Sequence, residues 1–181
     1  AHLLPSVALI VICVAMVHEA AELRPDPGVG QGARWVARGV FLLGMVAMML
    51  GAVVTGSGPN SGDGGAARNG LGLEAVARVH ALSVWALIAG TLVLLVLARG
   101  TVTARRATIV VLAVELLQGL VGYAQYFLGL PSALVVAHMA GTALFAAAVS
   151  HLLLVTRQGD GVHTLQIHLA DTQQRQGLDL V

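Results

Sequence analysis

The stretch that decides the fold is Glu115–Thr142, ELLQGLVGYAQYFLGLPSALVVAHMAGT. It is typical of two apolar helices joined by a tight turn at Gly129–Pro131, with His138 about two turns into the second helix. Because both helices are too apolar for a water-facing surface, the turn is predicted to lie at a membrane face and His138 within the depth of the bilayer. An ionisable ring at that depth is costly, so His138 is a candidate functional residue.

The composition of the whole chain is that of an integral membrane protein. Of its 181 residues, 57% are hydrophobic and 10% are charged, so a lipid bilayer is the predicted environment. The formal net charge of +1 gives no reason to expect nucleic acid as a partner. Cys13 is the single cysteine and lies in an apolar run, so we predict no disulfide framework and interpret its thiol as a small buried hydrophobe.

Five apolar segments follow one another along the chain. The last four offer about 20 or more mostly apolar residues each, enough to cross a hydrocarbon core about 30 Å thick. We therefore predict an all-α, polytopic membrane protein, a four-helix transmembrane bundle in residues 35–156 plus one additional transmembrane helix in residues 1–22. A polar tail without a span follows in residues 157–181. The segments run to about Ala20, then over Trp35–Thr55, Glu74–Ala98, Ala104–Leu128 and Ser132–Thr156.

Arginines predict the orientation of these segments. They cluster after segments one, three and five, and the connection Thr55–Leu73 holds few. By the positive-inside rule the amino end lies outside the cell membrane and the carboxyl end lies in the cytoplasm. The outward connection Thr55–Leu73 is rich in glycine, which suits either a flexible linker or a loop that folds over a bound group. The clustered residues are Arg24, Arg34, Arg38, Arg99, Arg105, Arg106 and Arg157.

Two histidines are predicted to lie at the same depth in the membrane. His80 and His138 each lie about six residues into a segment that starts at the outer face, which is about 9 Å at the helical rise. Two imidazoles at one level on two helices are what is needed to hold a heme iron between them. Taken singly, each histidine is better interpreted as a hydrogen-bonding residue between helices. The matched pair favours two heme ligands, and small neighbours such as Ala81 and Gly141 leave room for a porphyrin or for close helix packing.

Four motifs resemble the carboxyl-terminal half of one membrane enzyme family. They are TGSGPNSGD at 55–63, VARVHALSVWAL at 76–87, QGLVGYAQYFLGLP at 118–131 and ALVVAHMAGTALF at 133–145. In this order they resemble the heme A synthase family, which converts heme O to heme A in cytochrome oxidase assembly through two similar four-helix bundles. The resemblance covers about residues 1–156. It implies that His80 and His138 are the axial ligands of a heme b.

The same resemblance implies a role for the first segment. Residues 1–22 correspond to the last helix of the preceding bundle, so we expect the chain to begin part-way through a longer protein. His2 then corresponds to a histidine of the heme O site, which is incomplete unless another chain or a second copy supplies the missing half. Ala77 stands where the first bundle has a catalytic glutamate, so no catalytic residue is assigned. With both axial positions filled by imidazole, the expected role is one-electron transfer from an unknown donor.

Several other polar residues have two interpretations each. Arg68 and Arg78 are predicted either to bind the heme propionates or to be solvated charges at the membrane face. Glu115 lies near the midplane and serves either a proton path or a hydrogen bond to a neighbouring helix. Gln118 and Gln125 are predicted to tie helices together.

The remaining histidines receive structural interpretations. His18 and His151 are interpreted as separate interface residues at the cytoplasmic ends of segments one and five. Each proposed heme ligand is expected to donate its other ring nitrogen to a carbonyl or hydroxyl group.

Two further functions remain open from the sequence. One is a heme-free membrane assembly or scaffold protein, in which the histidines only bridge helices. The other is a transporter-like protein, motivated by Glu115, although the chain lacks the broken helix pair expected near the midplane.

Overall fold

The computed structural model describes residues 3–59 and 70–158, and this part of the chain is entirely helical. His2, Arg68 and most of the predicted tail lie outside the described residues. The elements are α1 (Leu3–Ala20), α2 (Gln31–Ser57), α3 (Leu73–Leu97), α4 (Val102–Phe127) and α5 (Ser132–Thr156). The predicted all-α fold is confirmed, and α2 starts four residues earlier than expected.

Four of the helices are long and apolar enough to cross a membrane. They are α2, α3, α4 and α5, each of 25 to 27 residues. The described apolar stretch of α1, Pro5–Ala20, is shorter than these four. A helical membrane bundle is therefore shown for α2–α5, and a fifth span remains a prediction.

The four long helices form a closed ring of neighbours. α2 packs against α3, α3 against α4, α4 against α5, and α5 back against α2, while α1 packs on the outside of α5. Packing is closest within the pairs α2–α3 and α4–α5. Consequently α3 and α5 face each other across one diagonal of the bundle, and α2 and α4 across the other.

The predicted tight turn between α4 and α5 is present and has a well-defined cause. α4 ends in a Schellman motif, in which the Leu130 N–H donates to Gln125 O at 2.7 Å and the Gly129 N–H donates to Tyr126 O at 3.4 Å. Gly129 has a φ of 76°, a conformation that glycine adopts without steric cost. Pro131 then starts α5 directly, so the two helices return antiparallel over a very short connection.

We define the two ends of the bundle by their residues. The loop face is the end formed by Ser57, Leu73 and the Gly129–Pro131 turn, and the arginine face is the opposite end, where Arg99 and Arg157 lie. The fully buried core occupies the half nearer the arginine face, with Leu94, Val111 and Leu152 completely enclosed. In the half nearer the loop face, few of the described helical residues are buried: Ala47 and Met48 just past the middle of α2, Glu115 at the middle of α4, and Ser57. The bundle is thus densely packed at one end and loosely packed at the other.

Candidate functional site

The structure places His80 and His138 at one level, as predicted. His80 lies seven residues after the start of α3 at Leu73, and His138 lies six residues after the start of α5 at Ser132. At the helical rise these positions are about 10 and 9 Å from the loop face. Both rings are half-buried and lie in the loosely packed half of the bundle.

The two histidines lie on helices that are diagonal to each other in the bundle. α3 and α5 are not neighbours in the ring of helices, so the bundle axis passes between His80 and His138. Histidines on diagonal helices in this way would be able to hold a heme between them.

Each histidine ring lies against a glycine of the preceding helix. A Cβ on Gly51 of α2 would lie 3.3 Å from Cε1 of His80, and a Cβ on Gly122 of α4 would lie 3.3 Å from Cε1 of His138. Gly51 lies six residues before the end of α2 and Gly122 five residues before the end of α4, so the glycines share the level of the histidines. The α2–α3 pair and the α4–α5 pair therefore contain the same contact.

These two glycines were missed by the sequence analysis. The sequence signal for them is their position. Each glycine lies about one and a half turns before the end of its helix, and the next helix carries the histidine. Because small residues are common in transmembrane helices for packing alone, the spacing becomes informative only once the histidine level is known.

The second ring nitrogen of His80 has the expected partner. His80 Nδ1 lies 3.0 Å from Ala47 O on α2. Since a carbonyl oxygen only accepts, Nδ1 carries the proton, and the Nε2 lone pair of the neutral ring is available to a metal. The bond also fixes the ring orientation, as a partner of a metal-ligating histidine does.

The surroundings of His138 depart from that expectation. Its Nδ1 is buried and has no hydrogen-bond partner among the described residues. Its carbonyl oxygen accepts from Gln118 Nε2 at 2.8 Å and from Thr142 Oγ1 at 3.0 Å. Gln118 thus ties α4 to α5, as predicted, but a carbonyl or hydroxyl partner for the His138 ring is not seen in residues 3–59 and 70–158.

Two cavities of the bundle lie away from the two rings. A cavity of about 320 Å³ lies between α1 and α5 near His18 and His151, and another of about 30 Å³ lies near Gln125. Neither is lined by His80 or His138. A porphyrin between the rings would lie in the half of the bundle where packing is loosest. Gly51 and Gly122 fit such a site, because a side chain at either position would press on a ligand ring.

Of the other predicted heme contacts, only Arg78 is described. Its side chain is exposed on the first turns of α3 and forms an ion pair with Glu74 one turn earlier. Arg78 is at the loop face, the level at which propionates are expected, but it already has a partner. A propionate role for Arg68 and Arg78, and the heme O role of His2, remain predictions.

Glu115 is buried at the midplane, with 2% of its surface exposed. Thr91 Oγ1 on α3 donates to Glu115 Oε1 at 2.8 Å, so the predicted hydrogen bond to a neighbouring helix is confirmed. Glu115 Oε2 has no hydrogen-bond partner in the described part of the chain.

At the arginine face the structure joins two histidines that the sequence treated separately. His18 Nε2 of α1 lies 2.7 Å from His151 Nδ1 of α5, and the ring centroids are 4.8 Å apart. The sequence did contain a signal for this contact, because His18 and His151 lie at the same end of segments one and five.

The interpretation of Cys13 as buried was wrong. Cys13 is exposed, because among the described helices α1 packs mainly against α5, and Cys13 is not covered by that contact. An apolar side chain at such a position is suited to lipid.

Comparison with known proteins gives no assignment. No protein-family model, curated protein or solved structure matches this chain. What the structure defines is a class, an all-α helical membrane bundle with a pair of histidines at one level inside it.

Proposed function

We propose that this chain is a heme-b-binding bundle of heme A synthase type that transfers electrons towards a heme O site completed by another bundle. The observation that carries the proposal is the placement of His80 and His138 at one level on diagonal helices. The order of the four motifs in residues 55–145 supports the family assignment.

His80 and His138 are the residues that would hold the heme iron. A heme with two imidazole ligands has no open position for oxygen or substrate, and it supplies one-electron transfer when bound. His80 is oriented for this role by its bond to Ala47 O, and the fully buried core below the site keeps water out from the arginine face. The chain itself thus contributes ligands, orientation and a dry surrounding.

The proposed setting follows the distribution of arginines. The loop face lies outside the cell membrane, the arginine face lies in the cytoplasm, and Arg68 and Arg78 are near the outer edge where propionates would emerge. α1 packs on α5, the helix of His138, so a neighbouring bundle attached through α1 would lie beside the proposed heme.

A heme assay of the purified protein tests the proposal. A pyridine hemochrome spectrum should show one heme b per chain, and the reduced protein should show the sharp bands of six-coordinate iron. His80→Ala and His138→Ala should each abolish those bands. His151→Ala is the matched control, since His151 lies on the same helix as His138 but at the arginine face, and this variant should keep them.

A heme-free assembly or scaffold role is the second candidate. It is favoured by the bonds that already bridge helices at this level, from His80 to Ala47 O and from Gln118 to His138 O. A folded protein that contains no heme after gentle purification from heme-supplemented cells would reject the first proposal and favour this one.

A further inference from the structure

A polar stripe runs along the interior side of α4, which is otherwise apolar. We define it as Glu115, Gln118 and Gln125, whose spacings of three and seven place them on one face of a helix. Glu115 contacts Thr91, and Gln118 contacts the backbone of His138. The stripe therefore faces the interior of the bundle and leads from the midplane past His138 towards the loop face.

Unpartnered polar atoms occur along this stripe. Glu115 Oε2, His138 Nδ1 and Gln125 Oε1 are all buried, and none has a hydrogen-bond partner among the described residues. A buried polar atom without a partner costs about 1–3 kcal/mol. Each such atom in a native structure calls for an explanation, and these three lie on adjoining surfaces of α4 and α5.

The half nearer the arginine face is closed by apolar packing and its buried hydroxyl groups are satisfied, although Arg34 Nε at its outer end is also buried without a partner among the described residues. The hydroxyl groups of Thr108, Ser150 and Thr156 donate to carbonyls of their own helices at 2.7 Å. Completely buried apolar side chains, Val111 and Val149 among them, fill the space around those hydroxyls. A proton cannot reach Glu115 readily from the arginine face.

The loop face offers access instead. A cavity of about 30 Å³ is lined by Gln125, Thr55 and backbone near Gly58. A site for one water molecule needs about 10–15 Å³ and polar partners, and this cavity meets both conditions. Gln125 and Gln118 are then the polar side chains that lie between that cavity and Glu115 along α4.

Glu115 has no compensating charge nearby. Among the described residues it takes part in no ion pair, and Thr91 is its only hydrogen-bond partner. On α4 the nearest arginine, Arg106, is nine residues away, about 13 Å at the helical rise. The other titratable or charged groups on α3, α4 and α5 are the surface pair Glu74 and Arg78, the histidines His80, His138 and His151, and Arg105, Tyr123 and Tyr126.

We propose that Glu115 takes up one proton from the loop face, along Gln118 and Gln125, when the heme held by His80 and His138 is reduced; this rests on the proposed function. A heme bound by His80 and His138 would accept one electron from a one-electron donor, an electrode in the test below. The proton comes from water and converts the Glu115 carboxylate to the neutral acid. The added electron is thereby balanced inside a medium of low dielectric constant, where an unbalanced charge is costly.

The test is the pH dependence of the heme midpoint potential in the full chain. Raising the pH deprotonates Glu115, and the resulting negative charge disfavours the reduced heme. The potential should therefore fall by up to 59 mV per pH unit over the range in which Glu115 titrates. Glu115→Gln keeps an acceptor for Thr91 but cannot ionise. The heme midpoint potential of this variant should therefore not depend on pH in that range. Thr108→Ala, a buried polar position in the closed half, is the matched control and should behave like the unaltered protein.

Two further measurements keep the outcome decisive. Glu115→Asp should restore a pH-dependent potential, and the carbonyl band of a protonated acid in the reduced-minus-oxidised infrared spectrum should vanish in Glu115→Gln. Gln125→Leu should slow proton uptake after rapid reduction without changing the equilibrium slope; an unchanged rate would overturn the loop-face route.

The possible failures are distinguishable from one another. An intact heme spectrum with the same pH slope in Glu115→Gln and the unaltered protein would overturn the role of Glu115 and leave the heme site standing. A heme midpoint potential that does not change with pH in the unaltered protein would likewise overturn the role of Glu115 and leave the heme site standing. A folded chain without heme would overturn both proposals together.

Discussion

The imidazole ring of His80 lies directly against the backbone of Gly51, so closely that a Cβ on Gly51 would stand 3.3 Å from the ring. His138 and Gly122 repeat this relationship at the same distance in the other helix pair. Since α2–α3 and α4–α5 are also the most closely packed pairs, the bundle consists of two similar helix pairs, each with one histidine ring against a glycine of the preceding helix.

The first prediction concerns Gly122. In Gly122→Ala the new methyl group would push on Cε1 of His138 and turn the ring away from the axis, so heme content should fall several-fold. Gly119→Ala is the matched control, because Gly119 is three residues earlier on α4 and a Cβ there would meet no atom within 4 Å. Both changes improve helix propensity by about 1 kcal/mol, so propensity cannot account for a difference between them.

Heme stoichiometry of the two purified variants, measured by pyridine hemochrome, checks this prediction. Equal heme content in Gly122→Ala and Gly119→Ala would show that the glycine contact does not position the ligand ring.

Much of the fold follows from the sequence, because hydrophobic length and turn chemistry are local properties. α5 has the predicted bounds, Ser132–Thr156, and the turn at Gly129–Pro131 was recognisable from a glycine with a proline two residues later. The shared depth of His80 and His138 also follows from their distances to the helix starts.

The parts that escaped prediction depend on how helices face each other. A transmembrane helix is apolar on all sides, so its sequence does not show which side meets a neighbour. The contact of His80 with Gly51, the bond from His80 to Ala47 and the pairing of His18 with His151 all required the three-dimensional arrangement.

The second prediction concerns the contact between α2 and α5 in the dense half. A Cβ on Gly44 would lie 2.9 Å from the ring of Phe145, which is itself buried. Gly44→Ala should therefore destabilise the bundle by about 1–3 kcal/mol through overpacking. Gly39→Ala on the same helix meets no atom within 4 Å and should be neutral or slightly stabilising. Denaturant unfolding in detergent should separate the two variants, and an equal stability would contradict the packing of α2 on α5.

The third prediction concerns the attachment of α1. The hydrogen bond between His18 and His151 joins α1 to α5 across 133 residues of sequence. His18→Ala and His151→Ala should each lower the free energy of unfolding by about 1 kcal/mol. Because each change removes the same bond, the double variant should cost clearly less than the two single costs added together. Full additivity in the double-mutant cycle would mean that the two rings do not interact in the membrane.

The last prediction concerns the bond that holds Glu115. Thr91 is completely buried and donates to Glu115 Oε1, so Thr91→Val keeps the shape of the side chain but leaves both carboxyl oxygens without a partner in the described part of the chain. The free energy of unfolding should fall by about 1–3 kcal/mol, the cost of an unsatisfied buried acceptor. In a Glu115→Leu background there is no acceptor left to satisfy, and Thr91→Val should then cost little, because replacing both partners by apolar groups is nearly neutral. The comparison of Thr91→Val in the two backgrounds, by denaturant unfolding in the same detergent, isolates the hydrogen bond. An equal cost in both would place the effect in packing, and the interhelical bond would then contribute nothing to the stability of α3 against α4.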